Sequence, residues 1–310
     1  PEKEERKLLK RCCSSQIQKV EPVKYVFPVK HYEGQKRPVI VGMGPAGLFC
    51  GYVLAKAGFR PILLERGKCV EERSRDVEAF WKTGHLNTES NVQFGEGGAG
   101  TFSDGKLNTL IKDKYGRNKE VLRIFVKHGA PKEILYDYKP HIGTDILKKI
   151  VRSMREEILA SGGDVRFETR VTDLLIADGR IKGLVLNGQE ELLAEHVVLA
   201  LGHSARDTFE LLYEKNINLS QKNFSMGVRI EHLQSELDRA MYGKFVGHKA
   251  LKAADYKLAV HLDNGRSLYT FCMCPGGYVV AAASEEKKLA VNGMSCYARN
   301  GENANSALLV

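Results

Sequence analysis

A short apolar strand that leads into a glycine-rich turn most constrains the fold of this chain. Residues 39–67 read VIVGMGPAGLFCGYVLAKAGFRPILLERG. The run 39–41 is apolar and β-branched, which predicts a buried parallel strand. Gly42, Gly44 and Gly47 then fit Gly-x-Gly-x-x-Gly, in which the first glycine permits the tight turn, the second lets a pyrophosphate approach the backbone, and the third lets helix and strand pack closely. The segment therefore predicts a dinucleotide-binding strand, turn and helix.

The residues after the turn extend this prediction. Pro45 suits a first helical position because its missing N–H is not needed there, and Pro45 and Ala46 would point the helix N-terminus at the pyrophosphate. Glu65 lies 23 residues after Gly42, near the offset expected for an acid that accepts ribose hydrogen bonds. Such an acid repels a 2′-phosphate, which disfavours NADP. We place Glu65 and Arg66 in the predicted site; a tight turn in another kind of α/β domain is the alternative.

Composition narrows the class of protein. The 310 residues are 43% apolar, enough for a substantial core, and no apolar run approaches the roughly 18 residues of a membrane span. Seven cysteines, an odd number in a long chain, fit a reducing, cytoplasmic compartment better than a disulfide framework. Because the chain starts with Pro and shows no signal peptide, we expect it to be part of a longer polypeptide. The net charge of +9 fits a basic surface with an anionic cofactor better than nucleic-acid binding.

Periodicity divides the chain into three parts. We expect the tail of a preceding domain and a linker over 1–37, a cofactor domain with a helical insertion over 38–215, and part of a substrate domain over 216–310. Asp178-Gly179 predicts a hairpin turn within an alternating stretch. Helices are predicted near the chain start and at 70–82, 117–129, 144–161 and 204–215. Strands are predicted at 23–29, 196–202, 224–232, 257–263, 267–273 and 277–283.

A second glycine cluster, NVQFGEGGAGTFSDGKLNT, covers residues 91–109. Glycines mixed with hydrogen-bonding side chains cannot build a core, but their backbone N–H groups can converge on an anion or a flavin ring. Phe94 and Phe102 would anchor such a loop. The alternative is a flexible linker. We assign the following cluster residues to the cofactor site: Gly97, Gly98, Ala99, Gly100, Thr101, Ser103, Asp104, Gly105, Lys106 and Leu107.

The order of elements resembles the two-domain flavoproteins of the glutathione-reductase type. In those proteins an antiparallel hairpin layer covers one side of the FAD sheet, and a returning strand carries a second fingerprint. The stretch VVLALG matches that fingerprint, with Leu201 in place of the usual threonine. We therefore add Val171, Ala200, Gly202 and His203 to the predicted cofactor site.

The resemblance extends to one family of bacterial FAD-dependent proteins, the NAD/FAD-utilizing dehydrogenases. The resemblance covers roughly residues 20–310. The motifs that show it include GMGPAGLFCGYVLAKAG, NVQFGEGGAGTFSDGKLNT, KPHIGTD, LALGHSARDTFE, YTFCMCPGGYVVAAASE and ARNGENANSALLV. The resemblance implies FAD as cofactor, NAD(P)H as a candidate electron donor and a small-molecule substrate. Family members also extend further at both ends, so we expect a closing FAD segment to lie beyond this chain.

The resemblance sets the expected fold class. It is an α/β chain with an FAD-binding, Rossmann-like domain of three layers, in which a parallel sheet carries an antiparallel hairpin layer. A second, strand-rich α+β domain follows, only part of which lies within this chain.

Catalytic residues are not evident, because a flavin carries the redox chemistry itself. His203 follows the VVLALG strand and Lys106 lies in the second glycine cluster; both are weak candidates, and His203 fits a local backbone contact equally well. Cys272 and Cys274 resemble a redox pair, but alternation in a strand puts both thiols on one face, and we interpret them as ordinary strand residues. No metal-ligand spacing is found. Polar groups that fit either the substrate side or ordinary strand and loop positions are Arg229, His232, Arg299, Asn300 and Asn303.

Two other functions compete with an FAD-dependent oxidoreductase. One is a flavin-containing protein that binds or modifies tRNA, suggested by the basic charge, although the chain has no basic stripe rich in aromatic residues. The other is an NAD-binding module without flavin, which the second glycine cluster and the hairpin layer disfavour. Substrate, electron acceptor and oligomeric state do not follow from the sequence.

Overall fold

The computed structural model describes residues 2–11, 23–29, 31–109 and 111–310. Within this part of the chain the α-helices are α1 Glu2–Arg11, α2 Pro45–Lys56, α3 Val70–Thr83, α4 Arg117–Lys127, α5 Thr144–Ala160, α6 Arg206–Glu214 and α7 Gln234–Tyr242. The strands are β1 Val39–Val41, β2 Ile62–Leu64, β3 Asp164–Arg166, β4 Val171–Ala177, β5 Arg180–Leu186, β6 Glu190–Leu193, β7 Val197–Leu199, β8 Gly227–Leu233, β9 Ala259–His261, β10 Ser267–Cys274, β11 Gly277–Ala281, β12 Val291–Ser295 and β13 Asn303–Leu309. None of these helices is long and apolar enough to cross a membrane.

A parallel sheet lies at the centre of the first two thirds of the chain. Its strand order is β3-β2-β1-β7, and β1 pairs in parallel with β2 on one side and with β7 on the other. The β1 and β2 residues are all buried, as expected for a parallel sheet covered on both faces. The predicted strand, turn, helix and second strand are confirmed.

The two faces of this sheet pack against different layers. Ile40 and Leu63 point to one side and join an apolar cluster with α2 and α5. Val39 and Val41 point to the other side and pack against Leu184 and its neighbours in an antiparallel sheet of order β4-β5-β6. The predicted three-layer α/β architecture is therefore present, because strand alternation directs successive apolar residues to opposite layers.

The chain after α6 forms a strand-rich region. An antiparallel sheet of order β8-β13-β10-β9 lies beside the hairpin β11-β12. This region docks on the first through Trp81, whose Nε1 donates a hydrogen bond to the carbonyl of Ala281 at 2.9 Å and whose ring meets Phe102 edge-on at 6.1 Å. The mixed α/β fold class is confirmed, whereas the domain boundaries at 37 and 215 stay predictions.

One predicted strand is wrong. Residues 23–29 alternate in exposure but form no strand in the structure. Tyr25, Phe27 and Val29 instead border a groove with residues of α2 and α4, so the alternation reflects packing on helices and not pairing in a sheet. The predicted opening helix is confirmed as α1; Cys12 and Cys13 lie outside the described residues.

Candidate functional site

The first glycine turn connects β1 to α2, and each glycine has a distinct physical reason. Gly42 has φ of +97°, and a Cβ there would lie 2.5 Å from the carbonyl oxygen of Ala200. A Cβ on Gly47 would lie 1.9 Å from the carbonyl oxygen of Gly42, so helix and turn pack too closely for a side chain. At Gly44 a Cβ would meet nothing nearer than Gly98 Cα at 3.9 Å. The first and third positions are thus closed by the protein, while the second faces open space.

The open space beside Gly44 is a cavity of about 490 Å³ at the carboxyl ends of β1 and β7. This volume falls in the range of roughly 300–1,000 Å³ typical of ligand pockets. Its position also matches the crevice outside the strand ends where open α/β sheets bind ligands. The predicted residues that line it are Gly42, Gly44, Pro45, Ala46, Glu65, Arg66, Gly98, Ala99, Gly100, Val171, Ala200, Gly202 and His203.

Glu65 lines the cavity and also ties three chain segments together. Its side chain is only 4% exposed. One carboxylate oxygen accepts N–H bonds from Gly67 and Gly95, each at 2.9 Å, and the other accepts the N–H of Met43 at 2.7 Å. A carboxylate offers about four lone-pair sites, so one site stays available to a ligand after these three bonds. The expected ribose role is compatible with this geometry, but the sequence did not indicate the structural role.

Arg66 contributes a paired positive charge at the cavity wall. It bonds the carboxylate of Glu89 through two nitrogens at 3.0 and 3.1 Å and Asp207 at 2.9 Å. Its guanidinium also lies 4.2 Å from the ring centre of Phe94. Arg66 therefore positions the wall of the cavity, with its charge largely balanced by the two acids.

The second glycine turn, residues 95–100 of the second glycine cluster, surrounds a buried arginine that the sequence pattern did not indicate. Arg73 on α3 is 0% exposed and donates to five backbone carbonyls at 2.6–3.3 Å. Those carbonyls belong to Asn91, Val92, Gly95, Glu96 and Gly98. Burial lowers the pKa of Arg73 to about 10, which still leaves it charged at neutral pH. The turn is therefore shaped around a side chain from a different element, which argues against a flexible linker.

Glu96 brings a buried carboxyl group to the same turn. Its side chain is 0% exposed; one oxygen accepts the N–H of Val70 at 2.7 Å and lies 3.4 Å from Arg155. The other oxygen, Oε1, is buried without a hydrogen-bond partner. Burial raises the pKa of Glu96 to about 7, because an unpartnered oxygen is more stable in the neutral acid.

The two turns meet directly at the cavity. The N–H of Gly97 donates to the carbonyl of Met43 at 2.8 Å. Gly98 has φ of +61°, and a Cβ there would lie 3.0 Å from Gly44 Cα. The cavity floor is thus made by backbone from both turns, with Gly98 required for their close approach.

A series of hydrogen-bonded side chains connects His203 to the strand-rich region. His203 Nδ1 lies 2.7 Å from the hydroxyl of Ser204, which bonds the side chain of Gln93. Gln93 in turn donates to the carbonyl of Ala282. His203 is exposed at the cavity, so both its predicted roles stay open. The sequence analysis did not indicate Gln93 or Ser204.

Eight predicted residues do not line this cavity: Gly47, Gly97, Thr101, Ser103, Asp104, Gly105, Lys106 and Leu107. Gly47 and Gly97 lie behind its wall. The segment 101–107 instead runs along the chain before α5, where Thr144 donates to the carbonyl of Thr101 at 2.6 Å and Leu107 donates to the carbonyl of Pro140 at 2.9 Å. The second glycine cluster thus leads from the cavity into the strand-rich region.

Asp104 and Lys106 join the two regions at the end of this segment. Asp104 is 1% exposed and accepts hydrogen bonds from Nε and Nη2 of Arg299 at 2.9 and 2.5 Å. Burial opposes its ionisation, but the bonds from Arg299 and the charge of Lys106, 3.2 Å away, hold the pKa of Asp104 below its usual value. Lys106 Nζ also donates to the carbonyl of Met273. Arg299 is therefore part of a group of paired charges with Asp104 and Lys106.

Three other polar residues of the strand-rich region bond within it. Arg229 donates to Asn305, His232 lies 2.9 Å from the hydroxyl of Tyr256, and Asn303 donates to Glu231 at 2.7 Å. These bonds favour the structural interpretation of all three residues. Among the described residues, no group of three or more His, Cys, Asp or Glu side chains could hold a metal ion.

Comparison with solved structures gives distant likenesses, each with a TM-score below 0.5. FqzB is 15% identical, over 91% of this chain and 55% of that chain, with a TM-score of 0.42. THI4 of Thermovibrio ammonificans is 21% identical, over 59% of this chain and 64% of that one, with a TM-score of 0.38. CtdE in complex with FAD is 12% identical, over 89% of this chain and 59% of that one, with a TM-score of 0.35.

Comparison of sequences gives a much higher identity. An uncharacterized protein of Clostridium beijerinckii is 49% identical over 311 residues, which cover 99% of this chain and 58% of that relative. The chain thus spans less than two thirds of the relative's length. Residues 223–310 match the family model described as FAD-dependent protein, C-terminal domain-like. The strand-rich region that docks on the two glycine turns is therefore similar to a C-terminal domain of FAD-dependent proteins.

Proposed function

We propose that this chain binds FAD in the cavity between the two glycine turns and forms part of an FAD-dependent oxidoreductase. The observation that carries the proposal is the open second glycine: Gly44 alone of the three motif glycines has room for a Cβ, whose nearest neighbour would lie 3.9 Å away, and this room opens into the cavity. The match of residues 223–310 to an FAD-dependent protein domain supports FAD as the dinucleotide. The finer assignment, a dehydrogenase with a glutathione-reductase-like cofactor domain, rests on the sequence resemblance.

The residues at the cavity suit the parts of this cofactor. The first N–H groups of α2, at Ala46 and Gly47, have no carbonyl acceptor inside the helix and would donate to pyrophosphate oxygens. Glu65 has a lone-pair site left for a ribose hydroxyl. Arg170 is exposed at the rim and adds positive charge near an anionic ligand. When bound, FAD supplies the two-electron chemistry, and the chain holds and orients it.

The substrate, an external donor such as NAD(P)H and a cytoplasmic location stay predictions from the sequence. The alternative of a tRNA-binding flavoprotein gains no support from the comparisons and is not proposed. Titration with both dinucleotides separates the FAD proposal from the NAD-binding module without flavin, because we expect FAD, and not NAD, to occupy this cavity.

A graded pair of substitutions tests the site. Gly44→Ala adds a methyl group at ordinary contact distance, whereas Gly44→Val fills the cavity beside the backbone. We expect the valine variant to bind FAD at least roughly 100-fold more weakly, about 2.8 kcal/mol, and the alanine variant to lie between it and the parent. Affinity is measured by flavin fluorescence during titration.

Unfolding in urea provides the control for this experiment, since Gly44 has room for a side chain and both variants should keep nearly the parent stability. Tight FAD binding by a folded Gly44→Val variant would place the cofactor elsewhere and remove the basis of the proposal.

A further inference from the structure

Cys272 and Cys274 lie at an irregular point of β10. The register of β10 against β13 shifts between Phe271 and Cys274, which marks a β-bulge, and Cys272 has φ of +49°. A non-glycine residue in the left-handed region is uncommon and persists only where its surroundings impose it. Bulges of this kind re-aim side chains and are enriched beside active sites. The regular alternation expected from the sequence is therefore broken at the two thiols.

At the bulge the Cys274 thiol lies against the backbone of Cys272. In a regular strand, residues two apart are separated by about 6.4–6.8 Å between Cα atoms, the outer end of the range that a disulfide accepts. The Cys274 thiol donates to the carbonyl oxygen of Cys272 at 3.3 Å, so the Cys274 side chain turns back toward Cys272. Cys272 is half-buried, whereas Cys274 is 0% exposed.

Two cations lie beside this pair. Lys106 Nζ is 4.0 Å from the sulfur of Cys274, and Arg229 on β8 donates to the carbonyl of Cys272 at 3.2 Å. The carboxylate of Asp104, itself bound to Lys106, opposes them only in part. A positive surrounding favours a thiolate over a thiol.

The pKa values of the two thiols are shifted in opposite directions by these surroundings. The hydrogen bond from Cys274, with the charges of Lys106 and Arg229, lowers the pKa of Cys272 to about 6 against the effects of burial and Asp104. The same bond and burial raise the pKa of Cys274. Burial raises the pKa of each of the other described thiols, Cys50, Cys69 and Cys296. Cys272 therefore differs from the other described cysteines in that its surroundings lower the pKa of its thiol, and it is only half-buried.

We propose that Cys272 and Cys274 form a redox-active dithiol that reduces small-molecule disulfides. The thiolate of Cys272 attacks one sulfur of the disulfide, forms a mixed disulfide and releases one thiolate. Cys274 then loses its proton to solvent and attacks the Cys272 sulfur, which forms the Cys272–Cys274 bond and releases the second thiolate. Two electrons pass from the protein to the external disulfide. No step uses FAD, so the proposal stands independently of the cofactor site.

The first test uses the reduced, desalted chain and oxidised glutathione. After the reaction, free thiols are alkylated and the protein is digested. The peptide that carries both cysteines is expected to lose two hydrogens in mass and to resist alkylation. A peptide that stays fully alkylated after excess oxidised glutathione would overturn the proposal.

Single substitutions separate the two roles. With C274S, glutathione is expected to stay attached to Cys272, because the resolving thiol is gone. With C272S, the release of reduced glutathione should fall by about 10-fold or more, because the remaining thiol is buried and buried thiols are inert. C296S is the matched control: Cys296 is exposed, and its loss should leave the dithiol reaction unchanged. Glutathione attached mainly to Cys296 in the parent protein would contradict the proposal.

The pH profile of alkylation tests the cationic surroundings. Labelling of Cys272 by iodoacetamide is expected to have its midpoint at about pH 6, and K106M should move it toward the ordinary thiol value of about 8.5. A midpoint near 8.5 in the parent chain would show that Cys272 is an ordinary thiol, and this result would overturn the proposed role.

Discussion

The two glycine turns border the same cavity but are stabilised in different ways. The first, Gly42–Gly47, is determined by close backbone packing, with a turn at positive φ against Ala200 and a helix pressed against the turn. The second, Gly95–Gly100, is arranged around Arg73 from α3 and receives support from Glu65 and Glu96. The first turn depends on the absence of side chains at Gly42 and Gly47, whereas the second turn depends on buried polar side chains, of which Arg73 and Glu65 come from other segments. Substitutions should therefore affect the two turns through different residues.

The largest expected effect comes from removing the buried arginine. Arg73→Met keeps much of the side-chain volume but leaves five carbonyls without their donor, and we expect a loss of about 3–5 kcal/mol in the free energy of unfolding. Urea denaturation measures this loss. Hydrogen exchange should accelerate at residues 91–98 more than at 42–47. Arg75→Met is the matched control, since Arg75 is exposed on the same helix and should change stability by no more than about 0.5 kcal/mol.

The second turn should also respond to pH through Glu96. Its pKa is raised from 4.5 to about 7, so the stabilisation from the neutral acid is complete below pH 4.5 and is lost as the pH rises through 7. The shift corresponds to about 3 kcal/mol. The stability of the parent relative to Glu96→Gln should fall by this amount between those pH values, as followed by urea denaturation. The same comparison with Glu78→Gln, at an exposed position of α3, should be flat; a flat difference for Glu96 as well would contradict the prediction.

Glu65 links the turns, and its substitution should affect both. Glu65→Gln retains the shape but replaces one acceptor oxygen by a donor, so at least one bond to Met43, Gly67 or Gly95 is lost. The loss of a charge-assisted bond is worth about 1.5–3 kcal/mol, or roughly 10- to 150-fold in FAD affinity if the ribose also contacts this carboxylate. Exchange at Met43 and Gly95 reports the structural part, and FAD titration reports the binding part. Faster exchange with unchanged affinity would assign Glu65 to structure alone.

The smallest effect is expected from two alanine substitutions, one in each turn. Gly47→Ala would place a methyl group 1.9 Å from the carbonyl oxygen of Gly42, and overpacking of this kind costs about 1–3 kcal/mol. Gly100→Ala would contact only Pro45, at 4.0 Å, and should be near neutral. Thermal unfolding of the two variants measures the difference. Equal stability of both would show that helix and turn can separate without penalty.

The sequence predicts the first glycine turn more completely than the second. The reason is how far along the chain the stabilising residues lie. The strand, first turn and helix depend on neighbours in the chain, so the spacing of Gly42, Gly44 and Gly47 was sufficient. The second cluster was identified as a loop, but its order depends on Arg73, 22 residues before Gly95 in sequence. A buried arginine on an otherwise polar helix carries no local signal. Glu65 was found from its offset, although its bonds to three backbone segments were not.

The strand-rich region was predicted less completely. The helix α7 was missed, and its N-terminal boundary residue, Leu233, makes no capping hydrogen bond from its side chain. The strand β13 was missed because its residues Asn303–Leu309 are mostly small or polar; it lies between β8 and β10, where small buried residues fit. The bulge at Cys272 could not be expected, since cysteine has no preference for positive φ. In each case the structure is set by contacts from distant segments.

The docking of Trp81 has a practical consequence in spectroscopy. The chain has one tryptophan, and its indole N–H is bonded to the last residue of β11 while its ring rests on Phe102. Its emission therefore reports one location, the seam between the hairpin β11-β12 and the second glycine turn. If the strand-rich region detaches before the parallel sheet unfolds, the emission shifts to the red while the far-ultraviolet circular dichroism is still largely retained. The emission of this single tryptophan can therefore be used to follow the separation of the two regions during unfolding.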